Sequence, residues 1–212
     1  MTVRALSPLP ALSYAVGPMD RGGQSQAGES DEALMMRYAA GDAGAFEALY
    51  RRHRGPLYRY LLRQTGSEAV AEELFQDIWL KVVKARARYE VRALFRTWLY
   101  RIAHNRLIDH YRRSARGLPR SYGGDGPDDP DDCPAPGAVQ PEHRVQWAQS
   151  LDRLLELVQA LPEAQREAFL LKVQGDLSVD EIAEATGVGR ETAKSRLRYA
   201  LDRLRRGLES ET

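Results

Sequence analysis

Residues 95–113 read FRTWLYRIAHNRLIDHYRR, and the spacing of apolar and basic residues in this stretch decides the fold. Phe95, Leu99, Ile102 and Ala103 recur at i, i+4, i+7 and i+8, which puts them on one side of an α-helix and predicts a buried face. Trp98, Arg101, Asn105, Ile108 and Arg112 form a second stripe, at i, i+3, i+7, i+10 and i+14, that mixes aromatic, basic and amide groups. Ten Arg lie between Arg86 and Arg120 against Glu90 and Asp109, so a strongly positive segment sits in a chain whose formal net charge is only +1. Guanidinium groups bind phosphate and flat rings stack on unpaired bases, so the second stripe fits nucleic acid. The competing reading is a buried Trp beside a solvated Arg-rich surface.

Outward from this stretch, 212 residues leave room for one or two domains, each able to bury a core. Charged residues make up 29%, so a basic partner surface has to arise by segregation. Cys133 is the only cysteine, which leaves no internal disulfide and no thiolate-rich zinc site. His53, His104, His110 and His143 are scattered, and no metal or cofactor site is expected. A reducing cytoplasm is the natural compartment. No run approaches the roughly 20 apolar residues of a membrane span, so membrane insertion is not expected. The stretch LSPLPALSYAVGPM is interrupted by Pro8 and Pro10 and is too polar for a signal-peptide core. Residues 1–28 read as a flexible tail, with Met19 and Met35 as alternative starts.

From Asp31 to about Arg116 the pattern is helical, with breaks at Gly41, Gly55-Pro56 and Gly66. A first helix is expected over Glu32 to Ala40, a second from Ala43 towards Gln64 with a bend near Pro56, and a third from the cap Ser67. In the third, Val70, Leu74, Ile78 and Val82 with Phe75, Trp79 and Val83 make an apolar band wider than a surface helix needs. Such a helix is either central in a bundle or docked in part on a partner. For Trp79 alone, burial is the simpler reading.

Residues 117–141 change composition to Asp, Pro and Gly, too polar and Pro-rich to pack, and read as a linker. It is either an inert tether or, with five Asp between Asp125 and Asp132, a polyanion mimic able to occupy a basic channel. Helical spacing returns near Glu142 with Trp147, Leu151, Leu154, Leu155 and Val158 and ends at Leu161-Pro162. Glu163 to Val173 follows, and Ser178-Val179-Asp180-Glu181 is a capping box that opens another helix.

Ser178 to Leu208 has the pattern of a helix-turn-helix. Ile182 is apolar, Ala183 is small enough for a close crossing, and Gly187 sits where the turn needs a positive φ. Val188 is expected to enter the core, and Ala193, Leu197, Ala200, Leu201 and Leu204 repeat as the inner face of the last helix. Arg190, Lys194, Ser195, Arg196, Arg198 and Tyr199 are left near its N-terminal half, where a recognition helix enters a major groove.

Taken together, FRTWLYRIAHNRLIDHYRR, AEELFQDIWLKV, and ALPEAQREAFLL followed by LSVDEIAEATGVGRETAKSRL resemble the sigma-70 family of bacterial transcription initiation factors. The likeness is to its short extracytoplasmic-function (ECF) subgroup. It implies an all-α chain of two helical domains: residues 29–116 as region 2, residues 117–141 as an acidic linker, and residues 142–212 as region 4. It also implies that Leu74, Gln76, Asp77, Trp79 and Leu80 dock on core RNA polymerase. Tyr89, Trp98, Arg101, Asn105 and Arg112 would then serve the minus 10 element as single strand, with Tyr89 as the loop aromatic. Arg190, Lys194, Ser195, Arg196, Arg198 and Tyr199 would read the minus 35 element as duplex. Binding an extruded base returns part of the cost of unstacking it, so melting would need no nucleotide hydrolysis.

Four positions depart from the family pattern. Val70 replaces a frequent Asp, Val91 a frequent loop Gly, Gly189 a Ser cap and Tyr199 a common Arg. The first raises the hypothesis that polymerase docking is weak until a modification or partner supplies negative charge. Proteins of this subgroup are commonly held by an anti-sigma factor, which makes such a regulator an expected partner. The rival reading is a stand-alone helix-turn-helix regulator, which leaves the Trp98 stripe unexplained. An enzyme is not expected, because no paired-carboxylate metal site, phosphate-binding glycine loop or nucleophile arrangement is visible.

Overall fold

The computed structural model describes residues 28–115 and 152–209, and these are helical with no strand among them. The N-terminal unit consists of α1 (Asp31–Ala39), α2 (Ala43–Thr65), α3 (Glu68–Ala85), a 3-10 turn (Arg86–Arg88) and α4 (Phe95–Ala115). The C-terminal unit consists of a helical segment over 152–159 (α5), α6 (Glu163–Val173), α7 (Val179–Thr186) and α8 (Arg190–Glu209). The expectations placed on residues 1–27, on the linker with Asp125 to Asp132 and Cys133, and on Trp147 and Leu151 lie outside the described residues.

Local chemistry sets the helix ends. Ser30 accepts from the Ala33 amide, Asp42 accepts from the Gly44 and Ala45 amides, and the carboxylate of Glu32 accepts from the Phe95 amide at 2.7 Å. That last bond is long-range. It lets α1 cap α4, where a negative charge also complements the helix dipole.

The second helix does not break at Gly55-Pro56; it runs through Pro56. Proline removes one backbone bond, but Ala45, Leu49, Leu57, Tyr60, Leu61 and Gln64 keep one continuous buried stripe on both sides of it. Burial of that stripe outweighs the lost bond. Helix α3 packs between α2 and α4: Leu74, Phe75, Ile78, Trp79 and Val82 are all buried, and its apolar band is part of the core of the N-terminal unit. Trp79 lies among Phe46, Tyr50 and Phe75 at ring separations of 5.7, 4.9 and 6.3 Å.

In the C-terminal unit α6 packs on α8 and α7 crosses α8. The capping box forms as the sequence predicts, with Ser178 Oγ accepting from the Glu181 amide and Glu181 accepting from the Ser178 amide. Gly187 has φ 68°, the left-handed turn between α7 and α8. Ala193, Ala200 and Leu204 are buried and Leu197 is half-buried, but Leu201 is 48% exposed and is not part of the inner face. At about 100° per residue it points away from the line through Ala193, Ala200 and Leu204. Val188 is only half-buried.

The two units pack on one another, α2 against α6 and α4 against α7. Tyr60 and Tyr100 meet edge to face at 5.2 Å in this interface, and the Tyr100 hydroxyl donates to the Gln174 carbonyl. A Cβ on Gly175 would lie 3.0 Å from the Tyr100 ring and 2.7 Å from the Leu171 carbonyl oxygen, so the approach is one that only glycine allows.

Candidate nucleic-acid interface

Helix α4 carries three stripes, each in a different environment. Phe95, Leu99 and Ala103 are buried in the N-terminal core, with Ile102 at its margin. Thr97, Tyr100 and His104 face the C-terminal unit. Trp98, Arg101, Asn105, Ile108 and Arg112 remain on the outside: Arg101, Asn105 and Arg112 are exposed, Trp98 and Ile108 half-buried.

The arginines divide in the same way. Arg96 is bound to Glu181 and Asp176, and Arg106 is buried against Asp77, whereas Arg101 and Arg112 pair with no carboxylate among the described residues. Unpaired exposed guanidinium groups are the ones available to phosphate.

Trp98 is backed by two rings, Tyr89 at 5.1 Å and Phe95 at 5.7 Å. Tyr89 is half-buried and meets Trp98 edge-on. Its hydroxyl is buried without a hydrogen-bond partner among the described residues, and burial, with Glu32 and Asp31 nearby, pushes the phenol up to about 12.

On α3, the residues expected to dock on polymerase separate into two groups. Leu74 is 0% exposed and Trp79 6%, so both are core residues and neither offers a surface. This corrects the expectation for these two, whose side chains belong to the core of the N-terminal unit. Gln76 and Leu80 are exposed and Asp77 is partly so. Asp77, Leu80, Lys81, Lys84 and Arg106 line an open cleft of about 280 Å³, floored by the Asp77–Arg106 pair. Val70 is half-buried against the core.

On α8, Arg190, Lys194, Arg198 and Tyr199 are exposed, whereas Ser195 and Arg196 are half-buried at the side of the helix. Asp180 accepts from Arg190 Nε at 2.6 Å, and the Arg198 guanidinium lies over the Tyr199 ring at 5.0 Å. Among the described residues no cluster of three His, Cys, Asp or Glu could hold a metal, and no helix is long and apolar enough to cross a membrane.

Two family models match the chain: Sigma-70 region 2 over residues 49–117 and Sigma-70, region 4 over residues 151–204. The ECF RNA polymerase sigma factor RpoE of Cereibacter sphaeroides is 37% identical over 166 residues, which cover 77% of this chain and 86% of that protein. The chain belongs to the ECF sigma factors. As such it is a transcription initiation factor and not an enzyme. The sigma factor SigK of Mycobacterium tuberculosis is 29% identical over 181 residues, or 84% of this chain and 93% of that protein. Two solved structures share the fold at TM-score 0.61. One is CnrH in complex with the cytosolic domain of CnrY, 21% identical, covering 87% of this sigma factor and all of that chain. The other is the sigma factor RpoE in complex with the anti-sigma factor NepR from Bartonella quintana, 22% identical, covering 79% and 98%.

Several residues that shape this sigma factor are silent in a reading for nucleic-acid chemistry: Glu32, Tyr60, Glu167, Gln174 and Glu181. A signal for their partners existed on α4. Thr97, Tyr100, His104 and Tyr111 repeat at i, i+3, i+7 and i+14, a third stripe too polar for core and too aromatic for solvent.

Proposed function

We propose that this sigma factor binds core RNA polymerase in the cytoplasm, directs it to promoters with minus 35 and minus 10 elements, and opens the duplex at minus 10. The observation that carries the reading is the outer stripe of α4, where a buttressed Trp98 stands beside Arg101, Asn105 and Arg112, with no acidic partner among the described residues. Trp98 stacks on a base displaced from the strand, and the two guanidinium groups hold phosphates on either side. Arg190, Lys194, Arg198 and Tyr199 enter the major groove at minus 35, with Ser195 and Arg196 at the edge of the contact. Gln76, Asp77 and Leu80, with Lys81 and Lys84 beside the cleft, form the face that docks on polymerase. Exposed Leu80 supplies the apolar contact and the lysines supply charge. The solved relative bound to the anti-sigma factor NepR supports a regulator of that type as a further partner.

Run-off transcription with purified core polymerase on a promoter library tests this reading. Start sites that appear only when the protein is added are the expected result. Binding to free operator duplex without polymerase, and no dependent start sites, would favour a stand-alone regulator.

A further inference from the structure

The segment between the 3-10 turn and α4, residues 89–94, has no regular structure and carries two exposed apolar side chains, Val91 at 57% and Leu94 at 47%. Leu94 lies one helical turn ahead of Trp98, whose amide donates to the Leu94 carbonyl at 3.1 Å. A base stacked on Trp98 therefore has this loop beside it. By itself the loop is poorly restrained. The Arg92 amide donates to the Glu90 carbonyl at 2.9 Å and Arg92 Nε to the Glu90 carboxylate at 2.8 Å, both at exposed positions where an ion pair holds little. Nor can it cap the helix that follows. Val91, Arg92, Ala93 and Leu94 include no Ser, Thr, Asp or Asn, so the first amides of α4 find no side-chain acceptor just ahead of them.

Both ends of the loop are held by α1. At the exit, the Glu32 carboxylate accepts from the Phe95 amide at 2.7 Å, across 63 residues of sequence. At the entry, the Arg86 guanidinium lies over the Tyr38 ring at 5.3 Å from its centre. Helix α1 is itself fixed independently of the loop. Leu34 and Met35 are buried in the core, and Asp31, next to Glu32, accepts from Arg52 at 2.7 Å and lies 2.6 Å from His53 Nε2, both on α2. Arg52 also donates to the Glu29 carbonyl at 3.0 Å, just ahead of α1. The residue that caps α4 thus stands on a clamped helix.

We infer that Glu32 is a positioning residue for the choice of base at minus 10. By capping α4 from α1 it fixes the exit of loop 89–94, and with Arg86 on Tyr38 at the entry it holds Val91 and Leu94 in place beside the Trp98 ring. Glu32 acts through the Phe95 amide and makes no contact of its own with DNA. A wall discriminates between bases only while it keeps its shape, to about 0.5 Å, and a loop free at one end adjusts to the wrong base as well as to the right one. The stacking ring supplies affinity for any base; the braced loop supplies the preference. The inference deepens the proposed function and rests on it for what the loop contacts, but the brace itself is measured without polymerase or DNA.

Amide hydrogen exchange on the free full-length protein reads the brace. Glu32→Ala is expected to speed exchange in peptides spanning 89–98 by about tenfold or more and to leave peptides of α2 and α3 within about twofold. Glu32→Gln keeps an oxygen that accepts from the Phe95 amide and should restore most of the protection, whereas Glu32→Asp, one methylene shorter, should not. Arg86→Met, at an exposed position, loosens the entry without altering the core, so a folding defect at position 32 does not decide the result.

The same variants with core polymerase are then given a promoter found by run-off transcription and its single-base minus 10 variants, with a fluorescent base analogue reporting opening. The ratio of opening on the preferred base to that on the substituted base is expected to fall about threefold or more in Glu32→Ala and Arg86→Met and to return in Glu32→Gln. Lower stability, or a lost phosphate contact at Arg86, weakens every promoter alike and leaves that ratio unmoved. Unchanged exchange over 89–98 in Glu32→Ala would overturn the brace. Faster exchange with an unmoved ratio would overturn the positioning role and leave Glu32 a helix cap. A parent that opens no promoter would sink the proposed function, and with it the role of the loop, while the exchange result would still decide the brace.

Discussion

Glu181 and Arg96 join the two halves of the protein through a carboxylate that also caps its own helix. One oxygen accepts from the Ser178 amide at 2.7 Å, and the other accepts from Arg96 Nε at 3.0 Å. The first residue of the capping motif and the first turn of α4 are therefore coupled, although 85 residues separate Arg96 from Glu181.

That coupling has a pH signature. Burial by itself raises the Glu181 carboxyl, but the bonds from Arg96 and Ser178 outweigh it and bring it down from 4.5 to about 2. A carboxyl lowered by folding contributes stability that is complete above its unfolded value and is lost as pH falls through its folded value. Thermal melting of the parent and of Glu181→Gln should therefore differ most above pH 4.5 and converge as pH approaches 2. A constant difference across that window would show that the charge of Glu181 does not matter.

Trp98→Ala should impair promoter opening while leaving minus 35 duplex binding unchanged. Loss of a base–aromatic stack costs about 1–3 kcal/mol, roughly 5- to 150-fold in open complex. A fluorescent base analogue in the minus 10 strand reads the effect directly, and Trp98→Phe should recover part of it. Equal loss of duplex binding would mean that Trp98 is a packing residue only.

Tyr89→Phe should be harmless or stabilising. Its hydroxyl is buried without a partner among the described residues, so removing it relieves a desolvation cost of about 1 kcal/mol while the ring still backs Trp98. Tyr89→Ala, which removes the ring, should lower both melting temperature and promoter opening. A large opening defect in Tyr89→Phe with normal stability would place the hydroxyl on DNA.

Asp77 and Leu80, both on α3, should give opposite phenotypes. Asp77→Ala leaves the Arg106 guanidinium, whose side chain is 11% exposed, without its carboxylate. The expected loss of stability is about 1–3 kcal/mol, below the figure for a fully buried pair because Asp77 is partly solvated. Leu80→Glu should leave the melting temperature unchanged, since Leu80 is 53% exposed, and weaken polymerase binding at least tenfold. Denaturation and polymerase titration on the same two variants separate the effects.

Much of this was legible in the chain itself. Periodicity placed the helices, because an apolar side chain every three or four residues has one way to be buried in a helical bundle. Residue chemistry placed the ends: Ser178 with Glu181 formed its capping box and Gly187 its left-handed turn, both local interactions that need no distant partner. The outer stripe of α4 was equally visible, since Trp98, Arg101, Asn105 and Arg112 share a face by arithmetic alone.

What the tertiary structure alone decided concerns partners far apart in sequence. Periodicity marks a band as apolar but not how much of it is covered, and so Leu74 and Trp79 proved to be core while Leu80 and Leu201 were left outside. Spacing counts ten arginines near α4 but does not say that Arg96 belongs to Glu181, that Arg106 belongs to Asp77, or that Arg101 and Arg112 belong to neither. Most of all, the docking of the C-terminal unit on Thr97, Tyr100 and His104 depends on two surfaces matching in three dimensions. A one-dimensional pattern determines which faces exist; only packing determines which of them meet.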